Sequence, residues 1–209
     1  VTGYWDGDGS FYIVLRKDKS CKFGYSIGLE CKVVAEINPL NLELLEKVKY
    51  FFGGIGTISK DKNTYHFTVR NKSQLRNILD HFYNYPCQTT KNTHFLLWSK
   101  IFYIIERKEH STLQGFMEVL SIKAVFPTGL KDSVKKDFPD VCPIVKPKFI
   151  PSAKNLKGDW IAGFTQADGS FGLNIYESPG MRLGYSLQPA VRIVQHERDL
   201  IVLERIINY

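Results

Sequence analysis

The sequence predicts an α+β protein built from two pseudo-symmetric repeats of the αββαββα type, with antiparallel sheets and the second repeat truncated. Three observations carry that prediction. Residues 1–11 (VTGYWDGDGSF) return as residues 161–171 (IAGFTQADGSF), so the chain contains a copy of itself. After each copy the apolar spacing switches from the helical period to strict alternation, the pattern of a half-buried strand. A content of 44% hydrophobic and 13% aromatic residues is enough for a packed core and argues against a disordered chain.

The repeat extends well past the motif. Gly3, Asp8, Gly9, Ser10 and Phe11 recur as Gly163, Asp168, Gly169, Ser170 and Phe171, at a constant offset of 160 residues. Phe23-Gly24-Tyr25-Ser26 returns at that offset as Leu183-Gly184-Tyr185-Ser186. After a two-residue slip, Leu45-Glu46-Lys47-Val48 returns as Leu203-Glu204-Arg205-Ile206. One D-G-S-F is a weak signal, but two with the same sequel mark a duplication. The alignment sets a first repeat at 1–125, a linker at 126–157 and the N-terminal part of a second repeat at 158–209. Tyr209 matches Phe51, and Val1 matches Ile161 behind Asp159-Trp160. The sequence is therefore expected to be a fragment lacking residues at both ends, poorly stable and weakly active or inactive.

Each element has a local reason. Residues 1–8 open as a helix in which Gly3 and Gly7 lie one turn apart, as do Gly163 and Ala167. Small residues at that spacing let a second helix approach closely. Phe11, Ile13 and Leu15 then alternate with Tyr12, Val14 and Arg16. Beyond a polar turn at Lys17-Asp18-Lys19-Ser20, Tyr25, Ile27, Leu29, Cys31 and Val33 alternate with Ser26, Gly28, Glu30, Lys32 and Val34. That predicts a hairpin with one apolar and one mixed face. Asn38 and Pro39 open a helix as cap and first residue, with a stripe of Leu40, Leu44, Val48 and Phe51, and Gly53-Gly54 closes it. A second hairpin at about 55–59 and 64–70 turns at Asp61-Lys62-Asn63. Helices at about 72–84, 90–107 and 111–124 follow, the last opened by a Ser111-x-x-Gln114 capping box. Five of the nine prolines fall in residues 126–157, the composition of a linker, with a short helix expected near 130–137.

The formal charge of +7, from 28 Lys+Arg against 21 Asp+Glu, points to a polyanionic partner, with nucleic acid ahead of a membrane surface. Cys21, Cys31, Cys87 and Cys142 form no C-x-x-C and no zinc spacing, so a reducing compartment is the default. No apolar run reaches membrane-spanning length, and no membrane partner is expected. His66, His81, His94, His110 and His196 show no ligand spacing. The stretch Asp6-Gly7-Asp8-Gly9-Ser10 resembles a calcium loop but fails as one. Phe11 stands where such a loop needs Gly, and Lys17 where it needs Glu.

VTGYWDGDG and IAGFTQADG, each followed by Ser-Phe, resemble the nine-residue motif of the LAGLIDADG homing endonucleases. The layout is similar to the single-chain, two-repeat members common in fungal mitochondrial introns. The resemblance implies two motif helices side by side on a pseudo-twofold axis, and sheets forming a saddle over double-stranded DNA. It implies Asp8 and Asp168 as catalytic metal ligands, with the carbonyls of Gly7 and Ala167 added, around Mg²⁺ or another divalent cation. Asp6, opposite Gln166, gets no metal role and is read as a helix-end residue. Tyr85-Pro86-Cys87-Gln88-Thr89-Thr90-Lys91 resembles the family segment Y-P-x-x-[ST]-x-K, which implies Lys91 at the active site.

The mixed faces would read bases in the major groove. In repeat one the candidates are Tyr12, Val14, Arg16, Ser26, Gly28, Glu30, Lys32, Thr57, Ser59, His66, Thr68 and Arg70; in repeat two they are Asn174, Tyr176, Ser186, Gln188 and Arg192. Pro189 is expected to break its strand's ladder and to bulge, shifting Gln188 and Arg192. Lys17, Lys19, Lys22, Lys60, Lys62, Lys135 and Lys136 are candidates for phosphate contacts. The implied function is site-specific, metal-dependent double-strand cleavage in intron homing, by a mitochondrial monomer. The alternatives are a maturase that binds intron RNA and a DNA-binding protein that no longer cuts.

Overall fold

Helix α1 (Thr2–Asp8) ends where the apolar period changes, and strand β1 (Gly9–Lys17) starts at the next residue with Gly9 in extended backbone. The structure is a computed structural model describing residues 1–151 and 155–209. Strand β2 (Tyr25–Glu36) pairs antiparallel with β1, helix α2 (Pro39–Phe51) follows, and β3 (Thr57–Asp61) and β4 (Thr64–Val69) form the second hairpin. The sheet order is β1-β2-β4-β3, antiparallel throughout. Helices α3 (Lys72–Asn84), α4 (Lys91–Glu106) and α5 (Leu113–Ala124) come next, then a short α6 (Asp132–Asp137) in the segment expected to hold one. The second copy of the motif gives α7 (Gly158–Asp168), β5 (Gly169–Glu177), β6 (Tyr185–Ile193) and α8 (Leu200–Ile207). The expected linker, 126–157, runs through residues 152–154, which lie outside the described residues. Among the described residues no helix is long and apolar enough to cross a membrane.

The two hairpins match residue for residue. Ser10 pairs Lys32 and Ser170 pairs Arg192, and every pair in β1–β2 up to Lys17↔Tyr25 has its equivalent in β5–β6 at the same offset. Both turns carry the same backbone bonds: Asp18 N–H to the Gly24 carbonyl and Ser178 N–H to that of Gly184. Gly24 and Gly184, with φ of 72° and 73°, take the left-handed conformation that a side chain would penalise. The bulge expected at Pro189 is absent. Pro189 sits in unbroken register opposite Leu173 because β6 is paired on one side only, so its missing N–H interrupts no ladder.

Two local expectations are corrected. The buried stripe of α2 is Leu45 and Val48; Leu40 is 77% exposed and Phe51 54%, because the helix turns Leu45, Val48 and the adjoining Phe52 toward the core instead. Thr112, not Ser111, caps α5 by accepting the Gly115 N–H, since Ser111 ends a 3-10 turn (Glu109–Ser111).

The main core lies between the sheet and helices α2–α5. Phe11 is its hub, with ring centroids of Phe82, Phe95 and Trp98 at 5.2, 5.4 and 5.5 Å. Trp98 Nε1 also donates to the Tyr12 carbonyl, fixing α4 across β1. In the second repeat a smaller cluster of Leu156, Trp160, Phe164 and Val202 packs α7 against α8. The sheet face equivalent to the main core is open there: Phe171 is 79% exposed, whereas Phe11 is 5%.

Candidate active site

Close packing of two short helices builds the site. A Cβ on Gly3 would lie 2.0 Å from the Trp160 carbonyl oxygen, and one on Gly163 2.9 Å from the Tyr4 nitrogen. A Cβ on Gly7 would lie 2.2 Å from that of Ala167 and 3.1 Å from Asp168 Oδ2. Only small residues permit this approach, as their spacing predicts. The helices thereby bring their C-terminal carboxylates, Asp8 and Asp168, to one place at the junction of the repeats.

The electrostatics follow from that proximity. Burial, and then the facing Asp168, raise the Asp8 pKa to about 6, opposed by Lys91 and by a hydrogen bond with Tyr4 one turn earlier. Burial also raises Asp168, opposed by Lys91 and by Gln195, whose side-chain amide donates to Asp168 Oδ2. Lys91, in the first turn of α4, points its ammonium back to the C-terminal end of α1. Nζ donates to the Trp5 carbonyl at 3.3 Å and to the Gly7 carbonyl. Burial lowers the Lys91 pKa, and the surrounding Asp6, Asp168 and Asp8 pull it back up.

Asp6 departs from its expected role. It is 2% exposed and accepts four bonds: from Gln88 N at 2.8 Å, Thr89 N at 3.2 Å, Thr89 Oγ1 at 2.6 Å and Trp160 Nε1 at 2.8 Å. It ties the approach to Lys91 to α1 and, through Trp160, to α7. Gln166, its counterpart, is exposed. Gln195 also escaped the sequence reading, since Ala35 stands opposite it at the repeat offset.

Among the described residues no three His, Cys, Asp or Glu side chains gather as a metal cluster. The candidate oxygen set is the two carboxylates with the Gly7 and Ala167 carbonyls that precede them in sequence, the Gly7 carbonyl also accepting from Lys91 Nζ. Mg²⁺ suits such a set, because it binds through one or two carboxylates and takes its other ligands from water and phosphate. Two partly desolvated carboxylates, each with its proton affinity raised by burial and that of Asp8 raised further by Asp168, also favour a dication.

The mixed sheet face is assembled as alternation predicts. Tyr12 pairs Glu30, Val14 pairs Gly28, Arg16 pairs Ser26, Lys32 pairs Thr68, and Thr68 and His66 pair Thr57 and Ser59. Arg70 follows the end of β4. In repeat two, Asn174 pairs Gln188, Tyr176 pairs Ser186, and Arg192 Nη2 donates to Asn174 Oδ1 at 2.9 Å. Two expected readers are buried instead of open: Glu30 at 8% and Thr68 at 4%. Thr68 lies on an inner strand under its neighbours. Glu30 Oε1 is held by Arg16 Nη2 at 3.2 Å and Arg70 Nε at 2.9 Å, so it braces two exposed guanidiniums. Lys17, Lys22 and Lys135 bond to Asp137, the Ser111 carbonyl and Asp132, while Lys19, Lys60, Lys62 and Lys136 are exposed.

The sequence profile of LAGLIDADG endonucleases matches residues 1–102 and 161–209, taking in both motif helices and both motif hairpins. The chain belongs to the LAGLIDADG endonuclease family. It is 30% identical, along its whole length, to "probable intron-encoded endonuclease 3" of Neurospora crassa, of which it covers 39%. The LAGLIDADG homing endonuclease I-SmaMI, solved bound to cleaved DNA, superposes with a TM-score of 0.92 at 32% identity, over all of this chain and 69% of that one. The meganuclease I-CpaMI, solved on uncleaved DNA, gives 0.89 at 27% identity over all of this chain and 70% of that one. The chain thus spans less than half the length of the first curated relatives it matches. The α+β architecture with antiparallel sheets is that of the LAGLIDADG meganucleases.

Proposed function

We propose that this LAGLIDADG protein is a site-specific, metal-dependent double-strand DNA endonuclease of the intron-homing kind. The observation that carries the proposal is the convergence of Asp8 and Asp168 from two packed helices, with Lys91 beside them. Asp8 and Asp168, with the carbonyls of Gly7 and Ala167, would hold a divalent cation such as Mg²⁺. When bound there, the cation supplies Lewis-acid stabilisation of phosphodiester oxygens and makes water more acidic. Lys91 offers a desolvated cation within the same site, suited to a phosphate whose charge grows during hydrolysis. Gln195 orients the Asp168 carboxylate, and Asp6 holds the segment that leads into α4.

The mixed faces of β1–β4 and β5–β6 are proposed to read base edges, with Arg16, Arg70, Gln188 and Asn174 as side chains able to make paired contacts. Glu30 sets the spacing of the first two. Because both motif helices lie in one chain, a monomer suffices for the site. The boundaries proposed are 1–125 and 158–209 for the repeats, with 126–157 between them. A mitochondrial setting is supported by relatives described as proteins of ND4 and cox1 introns.

The test is cleavage, by the full-length protein in Mg²⁺, of a duplex spanning the intron-insertion site, beside Asp8→Asn and Asp168→Asn. Each substitution is expected to slow cutting by about a thousandfold or more while DNA binding persists. Wild-type protein that binds the duplex tightly without cutting would make it a DNA-binding protein instead. Absence of DNA binding would leave intron RNA as the partner to examine.

A further inference from the structure

Lys91 belongs to a helix start that leans on groups remote in sequence. Thr90, at the cap position of α4, has helical backbone angles, and its side chain makes no capping bond. The N–H groups of the three residues before Lys91 go to two remote carboxylates. Asp6 of the first repeat takes the Gln88 and Thr89 N–H groups, and Thr89 Oγ1 in turn accepts the Lys91 N–H at 3.2 Å. The Thr90 N–H goes to Asp199 Oδ1 at 2.7 Å, and Thr90 Oγ1 donates to Asp199 Oδ2 at 3.0 Å. Asp199 comes from the second repeat, in the 3-10 turn Glu197–Asp199 that leads into α8, and is 4% exposed. Arg198 also stands beside it, with Nε 3.5 Å from Oδ2. A second tie runs from the same region, Arg205 Nη1 to Gln88 Oε1 at 3.1 Å.

A buried carboxylate is costly unless it is satisfied, and the N-terminus of a helix satisfies it with aligned N–H groups and a favourable dipole. The converse holds for the helix: without Asp199 the Thr90 N–H has no partner, and the first turn of α4 is free to fray. Lys91 lies in that turn, and its ammonium must reach from there to the carboxylate pair.

We propose that Asp199 is a positioning residue through which docking of the second repeat places Lys91 in the active site. The proposal rests on the reading of Lys91 as part of the cleavage machinery. It makes the site dependent on both repeats twice over, once through the paired motif acids and once through the paired caps of α4.

The experiment measures single-turnover cleavage and Kd for the insertion-site duplex in the full chain, using Asp199→Ala, Asp199→Asn, Lys91→Ala and the double variant Asp199→Ala with Lys91→Ala. A displacement of about 1 Å at a reacting centre can cost about a hundredfold in rate. Asp199→Ala is therefore expected to slow cleavage by about 10- to 100-fold with Kd within about twofold of wild type. Asp199→Asn keeps an acceptor for the Thr90 N–H and is expected to recover most of the rate. The double variant is expected to be no slower than Lys91→Ala alone, since two changes acting through one group do not add. Additive losses, equal losses in binding and cleavage, or a wild-type rate for Asp199→Ala beside a slow Lys91→Ala would overturn the role of Asp199 and leave Lys91 standing. A wild-type rate for Lys91→Ala would instead overturn the reading beneath it. If Asp199→Ala does not fold, Asp199→Ser, whose hydroxyl stops short of Thr90, carries the same criteria.

Discussion

At neutral pH and without metal, Asp8 and Asp168 face each other as partly buried charges, and for Asp8 the folded pKa of about 6 lies above its ordinary 3.8. A carboxyl raised in the fold gives its full stabilisation below the unfolded value and loses it as pH climbs through the folded one. Asp8 therefore weakens the metal-free protein above about pH 6. Asp8→Asn is expected to melt higher than wild type at about pH 7.5 in a chelator, and at the same temperature near pH 4. After allowance for solvent screening the gain is of order 1 kcal/mol, or about 2–4 °C in a chain of this size. A variant that melts lower at pH 7.5 would contradict that electrostatic picture. The two motif acids were legible because the chain repeats them, and Lys91 because its segment resembles one in the family. Asp6 and Asp199 were not. The partners that define their roles lie 82 to 154 residues away, and no local pattern encodes such a contact.

The helix pair α1–α7 sets how far apart those acids stand. A methyl group on Gly3 would meet the backbone oxygen of Trp160 at 2.0 Å, and backbone cannot swing aside as a side chain can. Gly3→Ala is expected to cost about 1–3 kcal/mol by forcing the helices apart. It should also slow cleavage more than it weakens DNA binding, as seen by comparing denaturant midpoints with cleavage rates. Unchanged stability would mean that the helices have room to spare. At this scale the sequence was a good guide wherever periodicity or a repeated glycine pair carried the signal. It misled at element ends: Ser111 and Thr112 are both chemically able to cap α5, and the intervening 3-10 turn decides between them. Leu40 and Phe51 followed a helical period, but the packing direction of α2 depends on the sheet beneath it.

At the scale of the molecule, exposed lysines among the described residues stand near hairpin tips and along the segment between the repeats. Lys19 and Lys60 are exposed at the turns of the first repeat. Replacing both with Ala is expected to weaken DNA binding about equally for matched and mismatched duplexes, and to flatten the slope of log Kd against log salt by about one per lysine. A loss confined to the matched duplex would make them base readers. The two-repeat plan was visible in the sequence because duplication leaves an offset that can be counted. The uncovered core of the truncated second repeat was expected with it, and Phe171 is exposed where Phe11, the same letter at the same motif position, is buried. The matched hairpins carry a last consequence, for evolvability. Residues 9–33 and 169–193 have the same pairing register, the same turn bonds and the same left-handed glycine. A graft of one hairpin's outward residues onto the other should keep its geometry, so one sheet face can be rewritten from the other by recombination within a single gene.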